Sequence, residues 1–344
     1  MIRYLFPAVL AASLFLGMSA AAAACPGCSN PNLPVGRSES AALRPGEVSA
    51  ALNLTMLAVN VVHSEYCPDI GPICLERDEP PQLHDQNFFI AELRPILAVG
   101  ITEQFGVETQ VPLRLTRTTI VFRRLDGTAF TPDYENIHHR NETQMGPGDP
   151  WVSGRRTWKM GSVALSGRLG VSLPLGRTRP NPFALAAEGL PHEHIQFGTG
   201  TVNPILSLDA AGTLGRFRLQ GYGQAQLFLY RNGYGYQAGN RFTVGASAET
   251  AVVARVRLSL GADVFNEQPE RWGGEVLQDG NLGRTDVLAG GTVSFPLGSL
   301  GVALSVKVPV HQHLIQAGHA HDGDPAQLKY PAIINLMISR SFGP

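Results

Sequence analysis

The chain has 344 residues, a formal net charge of −1 and only 16% charged residues, a balance that excludes a nucleic-acid surface built on basic stripes. With 38 glycines and 25 prolines, the composition suits many strands joined by turns better than it suits helices. The length accommodates a single large all-β barrel.

Residues 1–24, MIRYLFPAVLAASLFLGMSAAAAA, combine one basic residue (Arg3), an apolar run from Leu5 to about Met18 and an Ala-x-Ala end at Ala22 and Ala24. This is the pattern of a secretory signal peptide. The run is short of the ~20 residues that a helical span needs, and no other stretch approaches that length, so residence in a membrane would be by strands. Residues 25–46 are expected as a periplasmic N-terminal segment and 47–344 as the barrel. After export, Cys25 with Cys28 and Cys67 with Cys74 are spaced for two local disulfides. A lipid anchor on Cys25 is the alternative for the first pair.

Alternation of apolar with polar or small residues predicts twelve strands, near 47–63, 86–100, 104–123, 148–158, 160–175, 200–213, 216–230, 241–253, 254–266, 284–297, 300–314 and 330–342. Val163, Leu165, Leu169, Val171, Leu173 and Leu175 share one parity, and Ser162, Ser166, Arg168 and Ser172 the other. Tight connections near 101–103, 159, 213–215, 254 and 298–299 alternate with long polar segments at 64–85, 124–147, 176–199, 231–240, 267–283 and 312–329. That two-sided bias, with strands of ten or more residues, predicts an all-β fold: a transmembrane antiparallel up-and-down β-barrel of twelve strands in a Gram-negative outer membrane, its short turns periplasmic. The leucine face then meets lipid. The other face lines a lumen containing Arg114, Arg168, Asp209, Arg218, Glu249, Asp263 and Lys307, with small residues at Ala164, Gly170, Gly245, Gly261 and Gly290 leaving room for a path. Aromatic residues near strand ends (Phe105, Trp151, Trp158, Phe217, Tyr230, Phe242, Phe265 and Tyr330) suggest interfacial girdles. The terminal strand ending in Phe342 resembles the signal that such barrels present to the barrel-assembly machinery.

The segments GDPWVSGR (148–155) and IQFGTGTVNPILSLDA (195–210) resemble the outer-membrane transporter-like family named for the meta-pathway of phenol degradation. In that family a Gly-Asp-x-x-x-Ser-Gly-Arg strand is followed, one hairpin later, by a glycine-rich run entering a Pro-Leu strand. The resemblance covers about a third of the mature chain. It implies an outer-membrane barrel that moves small, often hydrophobic or aromatic, compounds, and it supplies no catalytic residue. The CPGC start and the histidine pairs lie outside that pattern.

All ten histidines fall in long segments or at the strand ends beside them. Residues two apart in an extended segment point the same way, so HEH (His192, His194), HQH (His311, His313) and HAH (His319, His321, followed by Asp322) could offer imidazole and carboxylate to copper or zinc at the extracellular mouth. An outer-membrane hydrolase is a further alternative, but Gly-x-Ser-x-Gly, His-Glu-x-x-His and nucleotide loops are all missing. An adhesive surface barrel is another; it would need larger loops and no lumenal path. The partners expected are therefore outer-membrane lipid, the assembly machinery and a small solute, with no catalytic role for any residue.

Overall fold

The computed structural model describes residues 32–33, 43–65, 82–133, 136, 139–253, 255–277, 280–314 and 328–343, with the backbone alone for 63–65. The four cysteines, His138, His319, His321, Asp322 and the signal peptide lie outside the described residues. Twelve wall strands close into one antiparallel barrel. β1 (Val48–Glu65) and β2 (Gln82–Gly100) form the first hairpin. The third wall strand consists of β3 (Phe105–Gln110) and β4 (Leu113–Arg124), to which the short β5 (Ala129–Phe130) adds. The fourth consists of β6 (Glu142–Pro147) and β7 (Trp151–Met160). β8 (Val163–Ser172) is followed by a one-turn-and-a-half helix, α1 (Pro182–Ala187), then β9 (Asn203–Leu214) and β10 (Phe217–Gln226). β11 (Tyr236–Gln237) stands apart from the wall. β12 (Arg241–Val253) and β13 (Val256–Glu267) follow, then β14 (Arg271–Trp272), which pairs β11. β15 (Arg284–Leu297), β16 (Leu300–Leu314) and β17 (Ile333–Phe342) complete the circuit. β1 pairs both β2 and β17, with Leu52 opposite Pro95 on one side and Ile338 on the other, so the sheet has no free edge.

Burial is inverted relative to a water-soluble sandwich. Glu92, Arg94, Glu108, Arg155, Asp209, Asp263, Glu267 and Asp286 are buried on the inner face, while Leu52, Leu169, Leu208 and Leu260 are exposed on the outer one. Leu169, the central leucine of β8, is 67% exposed. An apolar band of this extent outside a polar interior is stable only in a bilayer; the chain is an outer-membrane β-barrel. No described helix is long and apolar enough to cross a membrane.

The short turns gather at the rim where β1 begins and β17 ends. Those at 161–162, 215–216 and 298–299 each open on a glycine with φ near +60° (Gly161, Gly215, Gly298), the left-handed conformation that two-residue hairpins require. Phe105, Trp158, Phe217 and Phe342 stand exposed near this rim, and Phe242 and Tyr230 near the other, whereas Trp151, Phe265 and Tyr330 turn inward and are buried. The girdle expectation is therefore corrected for those three.

The third and fourth wall strands are each interrupted at one height. Pro112 divides β3 from β4, and Gly148 to Pro150 divide β6 from β7. Residues 142–147, expected in a loop, are strand because the chain resumes the ladder above the break, with Leu113 opposite Pro147. Proline cannot donate to a ladder, and Pro95 of β2 faces the same break. Its carbonyl accepts from Val111 N (3.1 Å), and Pro112 O accepts from Gly148 N (2.8 Å), so the backbone groups at the interruption keep partners.

Two apolar clusters sit inside the wall and above it. Leu57 and Val59 of β1, Phe88 and Ile90 of β2, Leu288 and Ile333 enclose Leu33 in the outer half of the lumen. The segment 25–46 was expected in the periplasm; of its described residues, Asn32 and Leu33 lie inside the barrel, with Asn32 Nδ2 donating to Glu267 Oε1 (2.6 Å), while Gly46 N donates to Gly100 O (2.9 Å) at the short-turn rim. Above the wall, Phe228, Tyr236, Ala238 and Trp272 form a cap core against Phe183 of α1 and Leu277. Asn181 caps α1 through Phe183 N, with Pro182 at its first position.

Leu169→Arg, near mid-height on the outer face, is expected to destabilise the folded barrel by about 2–4 kcal/mol in liposome unfolding titrations, while Leu169→Ala changes it far less. Equal effects would place this face away from lipid.

Candidate functional site: the barrel lumen

The lumen wall is built by the inward parity of each strand. At mid-height, β2 brings in Glu92 and Arg94, β4 Arg114, β3 Glu108 and Gln110, β7 Trp151 and Arg155, β8 Arg168 and β9 Asp209. Glu92 is shared: Arg94 donates to one oxygen and Arg114 Nε to the other at 2.8 Å. Arg94 also reaches Gln110 Oε1 (3.3 Å) and lies over the Trp151 ring at 4.8 Å, a cation–π contact in a desolvated setting. Arg168 sits 3.3 Å from Asp209 and 3.9 Å from Glu108. A single buried charge would carry a large desolvation cost, which these shared pairings offset.

A second set lies further round. Arg241 Nε meets Glu267 at 2.9 Å. Arg284 meets Asp286 at 2.8 Å, and Tyr330 Oη donates to the same carboxylate at 2.5 Å. On the same side, nearer the short-turn rim, Asp263 of β13 takes Lys307 Nζ (2.5 Å) and Tyr222 Oη (2.7 Å).

Arg114, Arg168, Asp209, Asp263 and Lys307 are thus in ion pairs on the inner face. Arg218 stands opposite Glu249 in the ladder near the short-turn rim, and Glu249 pairs Arg257 at 3.1 Å. Glu92, Arg94, Arg155, Arg241, Glu267, Arg284 and Asp286 were missed. In β2 the inward parity that carries Glu92 and Arg94 also carries Phe88 and Ile90 just before them, so the polar-versus-apolar contrast that marks a lumen face is interrupted there. The small inward residues serve differently from expectation at two positions. A Cβ on Gly245 would fall 2.5 Å from the Tyr222 ring, and one on Gly290 would fall 2.9 Å from the Lys307 side chain: these glycines seat long side chains rather than leave a path.

The connection between β8 and β9 folds into the barrel from above. Its anchor is Asp149, the acidic residue of the interrupted fourth strand. One carboxylate oxygen accepts from Thr199 N (2.8 Å) and Thr199 Oγ1 (2.6 Å), the other from Gly176 N (3.0 Å). Asn203 continues this buried network, donating to Thr199 Oγ1 (2.9 Å) and Ser172 Oγ (3.0 Å). The anchored segment carries Phe197 into the lumen, where its carbonyl accepts from Arg114 at 3.1 Å. Between it and the wall remains a cavity of about 20 Å³, lined by Arg94, Arg114, Arg241, Asp149, Trp151 and Tyr236 among others. This is room for about one water.

The histidines separate. His192 and His194 are buried beneath the cap, ring centroids 5.5 Å apart, with His194 edge-on to Phe183 at 5.0 Å. Burial lowers both, His194 to about 3, which keeps the His194 ring neutral. Glu193 between them turns to Arg179 (2.8 Å) and Arg140 (3.2 Å). His311 and His313 are exposed beyond a register shift in the β15–β16 ladder. Elsewhere at the outer end, His84 and His139 are buried with centroids 4.5 Å apart. Among the described residues no group of three or more His, Cys, Asp and Glu side chains is placed to hold a metal.

No family model matches the chain, and no curated protein is similar to it. Among solved structures it is similar to an outer-membrane channel from Pseudomonas putida F1, at 12% identity over 90% of this chain and 100% of that one, with a TM-score of 0.57. A FadL homologue of Pseudomonas aeruginosa (10% identity, 86% and 89% of the chains, TM-score 0.38) and a deletion mutant of the monoaromatic hydrocarbon channel TodX (8%, 87% and 91%, 0.40) are more distant in shape. The similarity to the first of these is one of fold, a twelve-stranded outer-membrane β-barrel.

Asp149→Asn replaces an acceptor oxygen by a donor facing a donor. It is expected to cost the inward segment about 2–3 kcal/mol of local stability and to expose 176–202 to limited proteolysis while the barrel band on a gel is unchanged. Within the cap, burial raises Glu270 to about 7, and Trp272 Nε1 and Asn281 N both donate to it. The folded state then holds a proton that the unfolded chain releases above its ordinary 4.5. Its contribution to stability is full below that value and falls as pH rises toward 7. Hydrogen exchange of 268–283 should quicken across this window, and Glu270→Gln should abolish the change.

Proposed function

We propose that the protein is a passive or facilitated channel for a small solute, the membership suggested by the resemblance to the meta-pathway family. The observation that carries this is the wall itself: a lipid-embedded barrel lines its interior with mutually paired arginines and carboxylates, a polar interior suited to a solute and narrowed at mid-height by the segment that carries Phe197. Similarity of fold to a barrel whose description is an outer-membrane channel supports the same reading. The apolar patch of Leu57, Val59, Phe88 and Ile90 in the outer half favours hydrophobic or aromatic compounds as the solute. The loops at the mouth select what enters, and no residue is given a catalytic role.

A second reading is capture of copper or zinc at the mouth through His311, His313, His319, His321 and Asp322, with His192 and His194 in reserve. It is favoured by the exposure of His311 and His313, two apart on β16. One measurement addresses both: refolded protein in a planar bilayer should show steady single-channel conductance. Block by zinc or copper that disappears in His311→Ala/His313→Ala would support the second reading. Silence from folded protein would sink the first.

A further inference from the structure

On the outer wall, one cation stands in the apolar parity of a strand. In β17 the outward residues are Ile334, Leu336, Ile338, Arg340 and Phe342, while Asn335 between them turns inward to Asn53 and Thr55, so Arg340 is directed to lipid. Its guanidinium folds toward the short-turn rim, as long cationic side chains near a membrane boundary do, and lies 4.8 Å over the Phe342 ring. Among the described residues no carboxylate pairs with it and no acceptor takes a hydrogen bond from it. Glu47 at the same rim accepts from Arg44 N (3.0 Å) instead. Arg156 over Trp158 (5.4 Å) and Arg216 over Phe217 (5.1 Å) repeat the pairing around this rim. Arg340 differs from them in bordering a groove of about 470 Å³, cut into the outer wall across β16, β17, β1, β2 and β3.

The groove follows from the register. Ala50 lies opposite Arg340 on one side and Leu97 on the other, so a methyl group forms the floor between two long side chains, and Leu52, Ile338, Leu300 and Phe342 raise the walls. Its volume falls in the ~300–1,000 Å³ range of small-ligand sites, and apart from Arg340 its lining is almost wholly hydrocarbon. A groove that faces hydrocarbon is filled by acyl chain rather than water, and a guanidinium at the membrane boundary favours an anion through its planar fork of donors. One molecule meets both requirements. We propose that this groove is a site for an anionic phospholipid of the leaflet that meets the short-turn rim, its phosphate on Arg340 and one acyl chain laid over Ala50. A headgroup without an ammonium is preferred, because an ammonium would compete with Arg340 for the phosphate. The site straddles the seam where the first and last wall strands close the barrel, joined over nine residues against eighteen between β1 and β2. A lipid bridging that seam holds it shut, and its loss lowers the temperature at which the barrel opens. The site uses only the lipid-facing wall and is independent of passage through the lumen.

The test uses the refolded full chain in an uncharged detergent, with phosphatidylglycerol and phosphatidylethanolamine carrying the same dioleoyl chains as probes. The readouts are lipid adducts in native mass spectrometry and the midpoint of heat-modifiable migration on a gel, whose unheated band also confirms that each variant is folded. One phosphatidylglycerol is expected to be retained per chain in preference to phosphatidylethanolamine, and to raise the midpoint. Arg340→Gln should weaken retention about fivefold and remove the preference, and Arg340→Lys should restore part of both. Ala50→Phe, which fills the groove, should remove the adduct. Arg156→Gln, whose cation–aromatic pair lies outside the groove, should change neither readout. Equal retention of the two lipids, or an adduct indifferent to Arg340→Gln and Ala50→Phe, overturns the proposal. Inorganic phosphate raising the midpoint as far as the lipid does would also overturn it, by showing a phosphate site that needs no chain. So would a dimer, in place of the adduct, that Ala50→Phe disrupts, since the face would then be an interface between two copies.

Discussion

Closure of the hydrogen-bond ladder is the constraint on which the rest of the molecule depends. In hydrocarbon no water is present to satisfy a strand edge, so β1 must find β17 as well as β2, and it does so over nine residues from Val48–Phe342 to Met56–Ile334. Once the sheet is a cylinder, every strand has one face toward lipid and one toward the lumen, and the period of two along the chain becomes a division between solvents. That is why the leucines of β8 lie outside and its arginine inside. It also explains why burial in this protein marks polar residues.

The proline-interrupted level is the one place where the ladder gives way, and the chain uses the interruption. Pro95, Pro112, Pro147 and Pro150 fall on three neighbouring wall strands, where missing donors are tolerated because the remaining backbone groups pair across the gap. Asp149, released from strand geometry there, can accept three hydrogen bonds from the β8–β9 connection. A weakness in the wall thus becomes the fixture for the segment that narrows the lumen.

Charge inside the wall obeys the economics of a low-dielectric site. Glu92, Asp209, Asp263, Glu267 and Asp286 each have a cation within 4 Å, Glu92 being shared by two guanidiniums, while Asp149 is held by backbone and hydroxyl donors instead. Glycine at 245 and 290 is required for the same purpose, since Tyr222 and Lys307 can reach Asp263 only by lying flat across a strand without side chains in the way. The lumen is consequently a packed and charged interior with a small residual cavity at its centre, and an apolar pocket above it filled by Leu33.

What the sequence determined by itself was everything that depends on local period and turn length. Twelve alternating segments, glycine-opened tight turns on one side and long polar connections on the other follow from chain-neighbour geometry, and the lipid face of β8, β13 and β16 could be read residue by residue. Arg168, Asp209, Asp263 and Lys307 were legible as lumenal because their strands have a clean polar parity. Glu92 and Arg94 were not, since the four residues before them, Phe88 to Ala91, are apolar on both faces of β2. The strand at 142–147, the inward turn of Trp151, Phe265 and Tyr330, the entry of Leu33 into the barrel and the capture of Thr199 by Asp149 were decided only by tertiary structure. Each joins residues far apart in the chain through a hydrogen bond or a packing contact, and such partnerships leave no periodic trace in a single sequence.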